Sequence, residues 1–394
     1  ILTGRYPRGH GARGLFYSLS RANLTLAEVM KDAGYDTAAV VSNMFLRPGQ
    51  GFEQGFDLYD DPAARFDGDS ADEVTSVAVR WLRARDRGRP YFLWVHYLDP
   101  HWTYQPAPPF DRAYDPGFHG RFTLYDDLAA GRLTKGQVIF QDLLSSRQVD
   151  HVVALYDGEI AQVDAALPAL LDEVERDRAD PVLIVLTSDH GESLGEHGYH
   201  FAHGEYLYEE GLHVPLLMAM PGTIPAGLRV DALAQNIDVA PTILSLLGID
   251  RLQSVDGRPL LLPGGRRGAA EGATVTPAPG RSVVFAESDF QLIHPENRRF
   301  YVPGPAGKWS SASDGRHKVI HIPRQGDELV EFYDLSTDPG ETRDLERTGI
   351  GREVRDRLLR ELRKFVDYDA GRAPGLDEID PEQRQRLKSL GYIN

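Results

Sequence analysis

Apolar and polar positions along the chain follow two periods. Residues 25–33, TLAEVMKDA, have helical spacing and stop at Gly34, a good residue for a helix C-terminus. Residues 37–42 read as a short buried strand, and residues 71–85 as a second amphipathic helix. Residues 91–98, YFLWVHYL, predict a strand that is apolar on both faces, as in a sheet covered by helices. That strand runs into Asp99-Pro100-His101 and a proline-rich loop. From about residue 147 to 177, Val149, Val152, Val153, Tyr156, Ile160 and Val163 open a helical repeat that continues to Val174; Pro168 predicts a kink in it. Residues 182–186 and 214–219 read as core strands, with Pro215 near the start or at an edge of the second. Asp238 and Pro241 open a helix reaching Leu247, Asp as N-cap and Pro in the first turn.

Residues 262–281 are rich in Gly, Pro, Ala and Arg and read as a linker or long surface loop. Beyond it, residues 282–286, 318–322 and 330–333 predict short strands, and residues 353–368 an amphipathic helix. The expected fold class is α/β: a large, mostly parallel sheet flanked by helices, with a smaller C-terminal α+β subdomain. The expected division is 1–265 for the α/β domain, 266–281 for the linker and 282–394 for the subdomain. No internal repeat is visible.

Composition narrows the function. The 394 residues are 41% hydrophobic and 26% charged, ordinary for a soluble globular protein. A net charge of −16 argues against a broad nucleic-acid or anionic-membrane surface. It leaves room for a small anionic substrate, because a bound metal and a few Arg or His invert the sign locally. There is no cysteine, hence no disulfide framework and no thiolate metal site. No apolar run approaches the roughly 20 residues of a membrane span. The chain opens Ile1-Leu-Thr-Gly-Arg5 without an initiator Met, so its true N-terminus is expected to precede Ile1.

The candidate chemistry gathers just past the strand at 182–186. Residues 187–210, TSDHGESLGEHGYHFAHGEYLYEE, are dense in His and carboxylates. Ligands in open α/β sheets collect beyond the carboxyl ends of strands. There, Asp189 and His190 suit a divalent cation with oxygen and nitrogen donors, and Gly191 lets the backbone turn sharply or pass close to a bound group. Two protein ligands are too few for a tight site, so others must come from elsewhere. Against this stands the reading of Asp189 as a turn cap and His190 as filler. His197, His200 and His203 follow in a Gly-punctuated loop; some are expected to be scaffold. His101, also just past a strand, suits anion binding or general acid catalysis, or else a plain loop histidine bonded to backbone. Arg5, Arg8, His10 and Arg13 form a small basic run read as solvated surface, Asp238 as a helix cap, and Lys318 as a strand-end surface charge. Trp102 and Tyr104 would line a cleft or cover a sheet edge.

Together these residues resemble the sulfatase family of the alkaline phosphatase superfamily, as an N-terminally truncated bacterial-type member. The resemblance rests on Leu2-Thr-Gly-Arg-Tyr-Pro7, on residues 25–35, on Gly51-Phe-Glu-Gln-Gly-Phe-Asp57 and on Tyr156-Asp-Gly-Glu-Ile160. It continues through Ser188-Asp-His-Gly191, Leu207-Tyr-Glu-Glu210, Val214-Pro-Leu216, Asp238-Val-Ala-Pro-Thr242 and Phe332-Tyr-Asp-Leu-Ser-Thr-Asp-Pro-Gly-Glu341. It implies an alkaline phosphatase-like fold. It implies one divalent ion, usually calcium, held by Asp189 and His190 with an earlier Asp pair. It implies a formylglycine nucleophile, expected just upstream of Ile1, and catalytic roles for His101, which matches a histidine that contacts the ester, and for His203, near the place of a substrate-binding Lys. The substrate implied is a small-molecule or saccharide sulfate ester.

Two departures accompany the resemblance. The nucleophile motif and first Asp pair are absent, so the chain as given is expected to lack turnover. Where many sulfatases carry a Gly-Lys-Trp-His-type motif, this chain reads Val41-Ser-Asn-Met-Phe45, which opens phosphate or phosphonate esters as substrates. The alternatives are therefore a phosphotransferase or phosphodiesterase of the same superfamily and a catalytically dead sulfatase-like binding protein. The first would use zinc or manganese: phosphoethanolamine transferases carry a similar Asp-His-Gly-Glu-Ser-Leu-Gly run, with zinc and a Thr nucleophile. Compartment is left open, periplasmic or extracellular if a signal lies upstream; oligomeric state is left open too.

Overall fold

The computed structural model describes residues 1–14, 17–61, 71–120, 122–140, 143–176, 181–249, 255–264, 274–288 and 307–367. The described residues fall into two compact units. One draws on Ile1–Leu15, Pro181–His197 and His203–Pro374, and the other on Phe16–Asp180 and Gly198–Ala202.

The second unit is built on a parallel three-stranded sheet. The strand Asp36–Val40 lies centrally, with Leu58–Asp60 on one side and Tyr91–Val95 on the other. Thr25 opens the preceding helix Leu26–Asp32 with a full capping box closed by Glu28. Val40 packs with Val74, Val77, Ala78 and Leu82 of the helix Ala71–Ala84 and with Leu170 of the long helix Ser146–Arg176. The long helix runs on through Pro168. The predicted strand at 91–98 is shorter than its apolar run and half-buried along its length. Past it the chain turns through residues 96–105, which carry His101.

The other unit contains the strand pair Ile184–Thr187 and Leu216–Ala219, which is antiparallel. Pro215 falls just before that second strand. The two were expected to be core strands, but Leu186 is 42% and Leu217 60% exposed: apolar sequence decides what can be buried, and which face is covered depends on neighbours. The C-terminal half of the unit carries an antiparallel sheet in the order Val284–Glu287, Ser310–Ser313, His317–Arg324, Asp327–Asp334. The helix Arg352–Asp367 covers it with Leu358, Leu362 and Phe365 against Ala312, Val319 and Phe332. Tyr368, the expected last residue of that helix, lies outside the described residues. This is the small α+β part that the sequence predicts.

Three further expectations change. Within the predicted linker, Thr274–Pro277 pairs antiparallel with Leu261–Gly264; residues 266–273 lie outside the described part. Lys318 is buried, 1% exposed, because its strand position points inward, where Glu209 and Glu341 each lie 2.9 Å from its Nζ. Arg8 is also buried: it pairs with Glu287 at 2.8 Å, donates to the carbonyls of Phe365 and Val366, and lies over the Phe365 ring. Both cations are tolerated inside because every approach carries a counter-charge or acceptor.

Candidate functional site

Asp189 and His190 sit where the strand Ile184–Thr187 ends, and the turn that carries them is pinned at three points. Asn236 donates from Nδ2 to the carbonyls of Ser188 and Asp189, both at 3.0 Å. Thr187 Oγ1 donates to the carbonyl of Pro215 at 2.9 Å. Gly191 donates its N–H to the Gly211 carbonyl at 3.0 Å. A Cβ at Gly191 would stand 2.0 Å from the carbonyl oxygen of Glu210. Glycine is therefore required here by close approach of two backbones.

The donor atoms converge. Asp189 Oδ2 lies 3.7 Å from His190 Nε2, with side chains 64% and 39% exposed. Ligand atoms roughly at right angles around a calcium-sized ion are separated by about 3.3–3.7 Å. His190 Nδ1 lies 2.8 Å from the Gly191 carbonyl, which can only accept, so Nδ1 carries the proton and the lone pair falls on Nε2. That is the tautomer and the second partner typical of a metal-bound histidine. The nitrogen donor departs from an all-oxygen calcium site and equally suits zinc or manganese. Among the described residues no group of three or more His, Cys, Asp or Glu forms a complete metal centre.

His203 joins this pair. Its ring stacks on His190 with centroids 4.0 Å apart and planes 23° from parallel. Its Nδ1 lies 3.1 and 3.2 Å from the two carboxylate oxygens of Glu192, a side chain only 5% exposed. The opening segment, residues 1–14, belongs to the same unit.

The remaining histidines are held differently. His197, at φ 55°, stacks on Tyr208 at 3.6 Å and faces Glu210 at 3.9 Å; burial pushes its pKa down. His200 Nδ1 is buried without a hydrogen-bond partner among the described residues. His101 belongs to the other unit. Its ring Nδ1 lies 2.8 Å from the Trp102 carbonyl, which again assigns the proton to Nδ1 and the lone pair to Nε2. Tyr104 is buried among aromatic rings. Ser42 donates to the His96 carbonyl and Asn43 accepts from the Phe45 N–H, so both polar groups of the substituted motif serve the backbone.

Asp238, expected to cap the helix Val239–Leu247, makes no side-chain cap to it. Its fully buried carboxylate accepts instead from the N–H groups of Gln235 and Arg258 and pairs with Arg281. Sequence reasoning also missed Glu192 and Asn236. Glu192 stood within the dense run, three residues after Asp189, and that spacing was the available signal. Asn236 had none, being 47 residues away along the chain from the carbonyl it holds.

The sulfatase family model matches residues 1–249. The N-acetylglucosamine-6-O-sulfatase of Bacteroides thetaiotaomicron is 24% identical over 99% of this chain and 79% of that protein. Several other curated relatives are matched over about half of their own length. Two solved structures share the fold. The structure of BT4656 in complex with its substrate D-glucosamine-2-N,6-O-disulfate aligns with a TM-score of 0.71, at 20% identity, over 96% of this chain and 88% of that one. The phosphonate monoester hydrolase SpPMH from Silicibacter pomeroyi aligns with a TM-score of 0.70, at 21% identity, over 97% and 87%. The fold is thus that of alkaline phosphatase-like hydrolases.

Proposed function

Because this chain belongs to the sulfatase family, we propose that the complete gene product hydrolyses a sulfate ester of a small molecule or saccharide, using one divalent cation and a formylglycine nucleophile carried ahead of Ile1. The observation that carries the reading is the 3.7 Å convergence of Asp189 Oδ2 and His190 Nε2, with His190 turned by the Gly191 carbonyl. Those two residues would hold the cation, calcium by family analogy. When bound, such an ion shields the anionic ester and lowers the pKa of a hydroxyl beside it.

The chain's own side chains supply the rest. His203, oriented by Glu192, contacts the ester oxygens as a hydrogen-bond donor. His101 keeps a proton on Nδ1 against the Trp102 carbonyl; once Nε2 has also taken up a proton, it would donate that proton to the leaving oxygen as the ester bond breaks and return to the neutral ring. A saccharide substrate is supported by the N-acetylglucosamine-6-O-sulfatase relative and by the glucosamine disulfate bound to BT4656.

A second reading is a phosphonate or phosphate monoesterase. It is favoured by Val41-Ser-Asn-Met-Phe45, which lacks the usual Lys and His, and by the likeness to a phosphonate monoester hydrolase. The test assays the complete gene product on an aryl sulfate and an aryl phosphonate ester with calcium, zinc or manganese in turn. A higher kcat/KM on the sulfate supports the first reading and a higher one on the phosphonate the second. Absence of metal-dependent cleavage of either ester sinks both in favour of a binding protein. The 394-residue chain alone is expected to show no turnover; robust cleavage by it would overturn the upstream nucleophile.

A further inference from the structure

We infer that Glu159 is a positioning residue for His101, and that the Tyr156-Asp-Gly-Glu159 turn of the long helix is the platform on which the His101 loop is built. Glu159 is 3% exposed, unusual for a carboxylate. Its Oε2 accepts from the backbone N–H of His101 at 3.0 Å and its Oε1 from that of Gln105 at 2.5 Å. One carboxylate thus fastens both ends of the residues 101–105 turn with charge-assisted bonds. Three residues on, along the same helix face, Gln162 Oε1 accepts from the Ala107 N–H at 2.6 Å.

The two neighbours of Glu159 in the motif complete the seat. Tyr156, three residues earlier, meets the buried Tyr104 ring edge-on at 5.4 Å. At Gly158 an added Cβ would stand 2.7 Å from the Phe110 carbonyl and 2.9 Å from Pro106 Cγ, so the loop lies directly on the helix backbone. With the His101 N–H held by Glu159 and Nδ1 held by the Trp102 carbonyl, the direction of Nε2 is set from both ends of the residue. A general acid needs that, because proton transfer tolerates little misplacement.

This inference rests on the proposed role of His101 in ester cleavage. The test is a double-mutant cycle on the complete gene product, with Glu159→Gln, His101→Ala and both together, on phenyl sulfate and on 4-nitrophenyl sulfate, whose better leaving group needs less protonation. Gln keeps one acceptor oxygen but turns its NH2 toward a backbone N–H. Glu159→Gln is expected to lower kcat on phenyl sulfate by roughly 10- to 100-fold, to lower it less on 4-nitrophenyl sulfate, and to add little in the His101→Ala background. Effects that multiply, or that are equal on the two esters, would reduce Glu159 to a folding role. If His101→Ala leaves the rate unchanged while the unmodified enzyme cleaves both esters, the role of His101 falls and this inference with it. If the unmodified enzyme cleaves neither, the sulfate reading falls first. Should Glu159→Gln fail to fold, Glu159→Asp, which keeps both oxygens one methylene short, is expected to show the same leaving-group split; a uniform loss would overturn the proposal.

Discussion

The imidazole rings of His190 and His203 are stacked 4.0 Å apart, and each has its Nδ1 tied to a different fixed acceptor. His190 is held by the backbone of Gly191 and His203 by the carboxylate of Glu192. One ring therefore turns with the strand-end turn and the other with a buried acid. The stack couples the proposed cation ligand to the proposed ester contact.

Replacing Asp189 with Ala in the complete protein should remove metal-dependent cleavage, by on the order of 100-fold or more, while the far-UV circular dichroism stays unchanged. The carboxylate is exposed and its loss opens no cavity. Activity that survives with the same metal dependence would exclude Asp189 as a ligand.

Glu192→Ala should lower kcat/KM by roughly 10- to 100-fold, because His203 loses a charge-assisted bond and with it a fixed ring orientation. Glu192→Gln, which still offers one acceptor oxygen, should cost less. Steady-state kinetics of the two variants check the order; equal losses would point to charge rather than orientation.

Gly191→Ala should destabilise the fold by about 1–3 kcal/mol in urea unfolding, since the new Cβ meets a backbone oxygen that cannot rotate away. It should also weaken metal binding, because relief of the clash displaces Asp189 and His190. A stability change within a few tenths of a kcal/mol would show that the two backbones separate freely.

The buried Lys318 cluster should make stability depend on pH. Burial raises the Glu341 pKa from 4.5 to about 7, against the opposing pull of Lys318. A carboxyl raised on folding binds its proton more tightly in the folded state. Its contribution is therefore full below 4.5 and is lost as pH rises through about 7. Glu341→Gln should flatten that part of the stability profile. Lys318→Met should cost about 3–5 kcal/mol near pH 8, where Glu341 is charged and has lost its counter-ion, and less near pH 5, where Glu341 takes up a proton. Urea melts at both pH values measure this, and equal costs at the two would refute it.

Much of the site was legible because its signals are local. Asp189 and His190 follow an apolar run and precede a glycine, so one reading of ten residues finds them. His101 is found the same way, after YFLWVHYL. Glu192 was visible as one acid among several, but its partner His203 is 11 residues on, and nothing in that interval tells which carboxylate the ring will face. Glu159 lies 58 residues from the backbone N–H it holds. Lys318 was misread because a lone Lys in a strand is usually solvated; its two acids, Glu209 and Glu341, are 109 and 23 residues away.

Sequence by itself determined the α/β class, the order of the elements, the family and the residue types that carry the candidate chemistry. Those follow from periodicity, glycine placement and short motifs, which need only neighbours along the chain. Tertiary structure decided which atoms meet: the 3.7 Å between Asp189 and His190, the stack of His203 on His190, the carboxylate of Glu159 beneath the His101 turn, and the inward face of Lys318. Hydrogen bonds and ion pairs act over a few ångströms, and only the folded chain brings groups from distant parts of the sequence within that range.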